Sequence, residues 1–397
     1  MPAKIKLQII VVIFLLLFTA KAWAEPEVQS TAAILINSRT GEVLWEKSAH
    51  QQMYPASITK ILTTTLLLEN AEPSEVAVPS ILAEKTRGSS LYLRRGQKIT
   101  VENLLYALML QSANDGSVVA AEHVAGTVEA FATMMNMKAQ EVGALNSNFT
   151  NPHGLPDDNH LTTAYDMAMI ARYAMRDERF RALATTSRHT IAWPDSETQY
   201  LRNRIPLFST YDGMLGVKTG YTASAGRTFV GAAERDGLEL ITVVLQASSG
   251  DQIWEDTIAL LDYGFTNFTS VQPVKQGDIL ETAAVRYGDA VNLLAADSFE
   301  LTRPIGVADV SVEIMVEPVT APVSKGTPLG EAVILAAGEP VGTVPLLAAD
   351  HAQRAALTTV RFWVLSSLGA ILILRLRKSV RRYQRKKSRF RRRYSDI

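Results

Sequence analysis

The stretch Pro55-Ala56-Ser57-Ile58-Thr59-Lys60, running directly into Ile61-Leu62-Thr63-Thr64-Thr65-Leu66-Leu67-Leu68, constrains this chain more than any other. Pro55 disfavours helix just before it and Ser57 is a good N-cap residue, so a helix capped by Ser57 is predicted through the apolar residues that follow. Residues three apart on a helix lie on one face with Cβ atoms about 5–6 Å apart, which puts Lys60 one turn above Ser57. A hydroxyl and an amine are thereby held together.

A serine hydroxyl becomes a nucleophile when a neighbouring base takes its proton, and none of the six histidines stands in a Gly-x-Ser-x-Gly elbow. The base is then lysine. It has to spend time neutral, which burial and a second nearby cation achieve by lowering a pKa that starts near ~10.4. Ser-x-x-Lys alone reads equally well as a capping serine followed by a solvated lysine. Two companions follow it in order. Ser112-Ala113-Asn114 lies between predicted helices at 101–110 and 115–125, where short polar side chains can point into a cleft. Lys218-Thr219-Gly220 ends the apolar, strand-like run Met214-Leu215-Gly216-Val217.

These three sets match the combination found in penicillin-binding proteins and class A β-lactamases. Together with Asn148-Phe149-Thr150-Asn151-Pro152-His153-Gly154-Leu155-Pro156, His160-Leu161-Thr162-Thr163-Ala164-Tyr165-Asp166-Met167-Ala168, and Tyr221-Thr222 with Ala225-Gly226, the chain resembles the low-molecular-mass penicillin-binding proteins that are serine-type D-alanyl-D-alanine carboxypeptidases. The resemblance covers nearly everything between the N-terminal export signal and the tail. It implies a hydrolase with Ser57 as nucleophile, Lys60 as base and Ser112 as proton relay. It also implies that Asn114, Lys218, Thr219, Gly220 and Tyr221 bind substrate, with the N–H groups of Ser57 and Tyr221 as oxyanion hole. Peptidoglycan stem peptides are the implied substrates and β-lactams the implied inhibitors, with no cofactor and no metal.

Two departures from the family pattern bear on this reading. Many members of the family carry an arginine near the start of the last helix of the domain, where this chain has Asp251-Gln252-Ile253-Trp254. A class A β-lactamase, the nearest alternative activity, needs a deacylating glutamate in a Glu-x-x-Leu-Asn loop, whereas here Glu141 stands five residues before Asn146. A catalytically silent cell-wall-binding scaffold on the same fold is the alternative from outside enzymology. The intact Ser57, Lys60, Ser112, Asn114, Lys218 and Thr219 argue against it.

The rest of the sequence places the catalytic region in context. Lys4 and Lys6 precede an apolar run at 9–20 and an Ala22-Trp23-Ala24 cleavage pattern, so 1–24 reads as a secretory signal peptide. From 25 to 267, an N-terminal hairpin, a block of helices, a hairpin around Asp236-Gly237 and a final helix near 252–265 make an α+β sandwich, in agreement with the fold the resemblance implies. Residues 268–349, with short β-branched runs and regular glycines, read as a small all-β domain. Residues 355–374 are about twenty, enough for a transmembrane helix if Arg361 snorkels, although their uncharged core at 362–374 is short enough for an interfacial helix. The Arg/Lys cluster at 375–397 favours the span, with a basic cytoplasmic tail and the catalytic domain outside the cell membrane. With zero formal net charge over 397 residues, that cluster leaves the remainder acidic, so nucleic acid is not an expected partner. No cysteine is present, which excludes thiolate chemistry and disulfides.

Overall fold

The computed structural model describes residues 25–193, 198–306, 310–354 and 356–393, so the predicted signal peptide lies outside the described residues. The chain divides into two compact units. One ends at Ser270 and takes in Thr302–Ile305; the other comprises Val271–Leu301 and the residues from Gly306 onward.

The first unit is built on five antiparallel strands: β1 (Ala32–Asn37), β2 (Val43–Lys47), β3 (Met214–Thr222), β4 (Gly226–Arg235) and β5 (Leu238–Ala247), in the spatial order β2-β1-β5-β4-β3. The β4–β5 hairpin turns through Asp236 and Gly237, both at positive φ (50° and 79°), as a two-residue primed turn requires. β1 pairs with β5 in the register Ala32↔Leu245 to Asn37↔Leu240 and is buried on both faces. Because side chains alternate along a strand, Ala32, Ile34 and Ile36 join Ile241, Val243 and Leu245 in one core, while Ala33 and Leu35 join Leu240 and Val244 in another. β3, the strand that carries Lys218, lies at the edge of the sheet.

Helices cover both faces. Those that matter for the site are α1 (Lys60–Asn70), α2 (Val101–Tyr106), α3 (Asn114–Ala125), α4 (Val128–Glu141), α5 (Ala164–Ala174) and α6 (Glu178–Thr185), with α7 (Gly250–Asn267) against the second core. The hydroxyls of Thr100, Thr127, Thr163 and Ser249 cap α2, α4, α5 and α7. The first nine residues of α1 are all buried, so this helix is the axis of the helical layer rather than an amphipathic cover. At Gly264 a Cβ would lie 2.4 Å from Leu240 Cδ1, so glycine lets α7 lie close on the sheet. The α+β sandwich expected from the sequence is therefore present. The predicted helix at 101–110 differs: its second half is a π turn, Ala107–Gln111.

Up to Ala352 the second unit is all-β, as expected. Its main sheet orders Ile279–Ala283, Val291–Ala295, Glu339–Ala348, Pro328–Ala336 and Val310–Val316. Leu293, Ile334 and Leu346 are buried in its core, which extends to Ala352, paired with Val323.

No described span bears out the transmembrane expectation at 355–374. From Ala356 to Arg393 the chain forms one 38-residue helix, α8, and among the described residues no helix is long and apolar enough to cross a membrane. The charges set this limit: Arg361 and Arg375 bracket an uncharged run of thirteen residues. That run rises only about 20 Å as helix, against about 30 Å of hydrocarbon.

Candidate active site

Ser57 is not the N-cap predicted for it. It stands inside a 3-10 turn, Ala56–Thr59, with Pro55 in the cap position, and α1 begins at Lys60. The turn is bent by Ala56, whose φ is +52°, and the fold holds that bend from several sides. The Thr228 hydroxyl on β4 donates to the Pro55 carbonyl at 2.8 Å, and the Thr59 hydroxyl donates to the Ala56 carbonyl at 2.9 Å. Gly154 passes so close that a Cβ there would lie 1.8 Å from the Ala56 oxygen. His160 completes the clamp. Its Nδ1 accepts from the Thr150 N–H at 3.0 Å, so Nε2 carries the proton and donates to the Thr59 hydroxyl at 2.9 Å. Burial holds the His160 imidazolium pKa at about 4, which keeps the ring neutral and the tautomer fixed.

Lys60 is fully buried at the first turn of α1. Its Nζ lies 3.0 Å from Ser57 Oγ, 2.8 Å from Asn114 Oδ1 and 2.7 Å from the His153 carbonyl. Two of these partners can only accept, and the third is a hydroxyl that can donate. A neutral amine has two N–H bonds and one lone pair, so it satisfies all three contacts with the lone pair turned to the Ser57 proton. The electrostatics agree. Burial first, and the charge of Lys218 second, lower the Lys60 pKa well below its ordinary value, against an opposing pull from Asp115.

Ser112 ends the π turn in the left-handed region (φ 60°, ψ 38°), and its buried hydroxyl finds no hydrogen-bond partner. An unpartnered hydroxyl held at a strained position is poised for a partner that arrives with substrate. Asn114 opens α3, with its carboxamide oxygen on Lys60 and its nitrogen donating to the Arg87 carbonyl at 2.8 Å. Asp115, next in sequence, accepts from the N–H groups of Leu91 and Leu93 and from the Ser90 hydroxyl. It thereby fixes the loop that flanks the Ser112 turn.

On β3, Lys218 is buried, and burial with the nearby charge of Arg204 brings its pKa down to about 7. Its Nζ donates to the Thr219 carbonyl at 3.0 Å. Gly220 lies against the nucleophile turn: a Cβ there would sit 2.8 Å from the Ser57 nitrogen and 2.4 Å from Thr228 Oγ1. The Tyr221 ring is exposed and lies under the Arg227 guanidinium, 5.3 Å from centroid to Cζ. Ser57, Lys60 and Asn114 are thus in direct contact, Gly220 touches the same turn, and Lys218 acts on Lys60 through its charge. Ser112, Thr219 and Tyr221 make no direct hydrogen bond to Ser57 or Lys60.

Three separate sequence sets have converged on one serine–lysine pair beside an edge strand. Residues 19–249 match the family profile described as D-alanyl-D-alanine carboxypeptidase. The chain belongs to the D-alanyl-D-alanine carboxypeptidase family. Residues 268–354 of this carboxypeptidase match the C-terminal domain of penicillin-binding protein 5. It is 30% identical over 365 residues to D-alanyl-D-alanine carboxypeptidase DacF of Bacillus subtilis, covering 87% of this chain and 94% of that protein. It is also 30% identical over 364 residues to DacC of Escherichia coli, covering 86% and 90%. Penicillin binding protein 5 from Haemophilus influenzae is similar in structure, with a TM-score of 0.71 at 27% identity over 83% of this chain and 99% of that one.

Some residues that shape the carboxypeptidase site were not found from sequence. Arg204 stands in a polar loop between apolar signals, and nothing local ties it to Lys218. Arg227 packs beside Gly250 at the start of α7, where a Cβ would be 3.5 Å from its Cζ, close to where the sequence lacks an arginine of its own. Two histidines outside the three sequence sets, His153 and His160, also shape the site. His153 offers its carbonyl to Lys60, and His160 locks Thr59. Among the described residues no three metal-ligating side chains gather.

Proposed function

We propose that this carboxypeptidase cleaves the bond between the two terminal D-alanines of a peptidoglycan stem peptide through an acyl-enzyme at Ser57. The observation that carries the reading is the contact between the Ser57 hydroxyl and a buried Lys60 whose other partners suit a neutral amine. Lys60 takes the hydroxyl proton as Ser57 Oγ attacks the scissile carbonyl. The N–H groups of Ser57 and Tyr221 meet the charge that develops on the carbonyl oxygen, each such donor being worth about 3–4 kcal/mol. Ser112 passes a proton to the leaving amine as the C–N bond breaks and is refilled from Lys60, which returns to the neutral amine, and D-alanine departs. Water then attacks the ester, Lys60 takes its proton, and Ser57 regains a hydrogen as the acyl group leaves.

The substrate adds to the free edge of β3, where Gly220 leaves room for its backbone. Lys218, Thr219 and the neighbouring charge of Arg204 receive the terminal carboxylate, and Asn114 orients the substrate amide. A β-lactam presents its ring carbonyl to the same serine and acylates it. Release of that acyl group is slow, because the only glutamate near the β-lactamase position, Glu141, is at the end of α4, largely exposed and paired with Lys138 at 2.9 Å.

We place the catalytic unit outside the cytoplasm on the strength of the export signal at 1–24. The exposed apolar and basic side chains of α8 suit attachment to an anionic membrane surface. The test is release of D-alanine from a pentapeptide ending in D-Ala-D-Ala, with labelling by a fluorescent penicillin. Wild type should do both and Ser57→Ala neither. Label on another residue, or turnover by the variant, overturns the assignment.

A further inference from the structure

We propose that the outer face of a small β-ribbon beside the Ser112 turn is a docking face for a polyanion, and that its occupant is the peptidoglycan strand that carries the substrate. The inference rests on the reading of the substrate above. The ribbon pairs Arg188–Ile191 with Gln199–Arg202 in antiparallel register.

Its inner face is fixed to the catalytic unit. Ile191 and Leu201 are buried in the same core as Leu104 and Leu108. The His189 ring stacks on Tyr106 at 3.7 Å between centroids, with Nε2 3.1 Å from Asn103 Oδ1. The second strand lies against the π turn Ala107–Gln111, which ends at Ser112. Two residues beyond it, Arg204 is close enough for its charge to act on Lys218. The ribbon therefore borders the site by way of both Ser112 and Lys218.

The outer face breaks the usual rule of pairing. Side chains alternate along a strand, so Arg188, Thr190, Tyr200 and Arg202 share the solvent face, and all four are exposed. Arg188 stands directly opposite Arg202. Like charges so placed are destabilising, and a two-stranded ribbon has little stability of its own to offset them. Arg179 and Arg181, earlier in the chain, each pair with a carboxylate, on Asp177 and Glu239. Among the described residues Arg188 and Arg202 have no such partner. Glu102 acts on the ribbon at His189, on the inner face. Asp195 and Glu197 fall between the two strands in sequence, outside the described residues.

Two opposed guanidinium groups that continue into Arg204 and Lys218 are the charge complement of a chain of carboxylates, which arginine binds bidentately. Every uncleaved stem peptide ends in a D-alanine carboxylate, so a strand bearing several is a repeating anion. While one stem peptide occupies Ser57, a neighbour on the same strand pairs with the ribbon. That second contact holds the strand at the site and raises the local concentration of the next substrate.

The experiment compares soluble, uncrosslinked peptidoglycan strands bearing pentapeptides with the free pentapeptide, reading kcat/KM per stem peptide for D-alanine release by the full chain. At low ionic strength strands should be favoured by about threefold to tenfold, the range of two exposed ion pairs. The preference should shrink toward one at about 1 M salt, where charges are screened within about 3 Å. In the double variant Arg188→Gln, Arg202→Gln, with Arg204 left in place, the ratio at low salt should fall at least about twofold while the free peptide is cleaved as by wild type. Because the ratio is internal to each preparation, it is independent of how much enzyme is folded. A ratio unmoved by the double variant assigns the preference to other cations, such as those of α8, and overturns the docking face while leaving the Ser57 chemistry standing. Polyglutamate should abolish the preference at lower charge concentration than poly(glycerol phosphate); the reverse order overturns the carboxylate strand as occupant. No release from the free pentapeptide overturns the substrate reading as well.

Discussion

The amine of Lys60 lies 3.0 Å from the hydroxyl of Ser57, and its other two contacts, Asn114 Oδ1 and the His153 carbonyl, can only accept hydrogen bonds. These contacts accommodate a neutral amine whose lone pair faces the Ser57 proton. Burial, with help from Lys218, favours that form at a pH where a solvated lysine would be charged.

The rate of penicillin acylation should accordingly rise with pH as Lys60 loses its proton, with a midpoint well below the ordinary lysine value. Removing the second cation with Lys218→Gln should move that midpoint upward, by less than the whole shift because burial is the larger cause. Lys60→Arg should lose acylation by at least about 100-fold at every pH, since guanidinium keeps its proton. Stopped-flow acylation across pH 5–10 checks all three.

Gly154→Ala should cripple the enzyme where Gly126→Ala does not. Both glycines have positive φ, 82° and 79°, but a Cβ at 154 meets the Ala56 oxygen at 1.8 Å and one at 126 meets nothing within 4 Å. The first should cost about 3 kcal/mol or more and slow acylation by distorting the Ser57 turn; the second should cost about 1 kcal/mol through backbone strain alone. Urea denaturation of the two variants makes the comparison.

Acid should loosen the clamp through His160. Its folded pKa of about 4 is below the ordinary 6.5, so the unfolded chain binds the proton first as pH falls. The contribution to stability is complete above about pH 6.5 and is lost progressively down to about pH 4, amounting to at most about 3 kcal/mol for this one group. His160→Gln should be less stable at pH 7 yet lose less on acidification. Urea midpoints between pH 7 and 4 show whether the slope flattens.

Truncation after Arg354 should release the protein from membranes and leave its acylation rate within about twofold of the full chain. The cut has to follow Arg354 because Ala352 is buried and paired with Val323. Full-length protein should be stripped from membranes by carbonate, as befits a surface helix. Resistance to carbonate would return α8 to the bilayer interior.

Much of this was legible in the sequence because the signals were local. Caps at Thr100, Thr127 and Thr163, the Asp236-Gly237 turn and the Ser-x-x-Lys spacing each draw on neighbours a few residues away. What was not legible depended on distant atoms. Ser57 reads as a cap because serine after proline is the usual start of a helix; Thr228 and Gly154, remote in sequence, bend the turn instead. Arg204 acts on Lys218 only through the folded loop. At α8 the twenty-residue length suggests a span, and the charges of Arg361 and Arg375 reduce it.

The pairing of β1 with β5 also sets a timetable. One edge of residues 32–37 can pair with β2 at once, but the other has to wait for 240–245 before its backbone groups find partners. At roughly 5–20 residues per second of synthesis, that delay is on the order of ten to forty seconds. Ser57 and Lys60 are made early in that interval, but β4, which holds the Pro55 carbonyl, and β3, which brings Lys218, are laid down near its end. Until the last hairpin emerges the nascent chain carries a nucleophile without the cation that helps neutralise its base, so it becomes reactive only once nearly two-thirds of its length has been made.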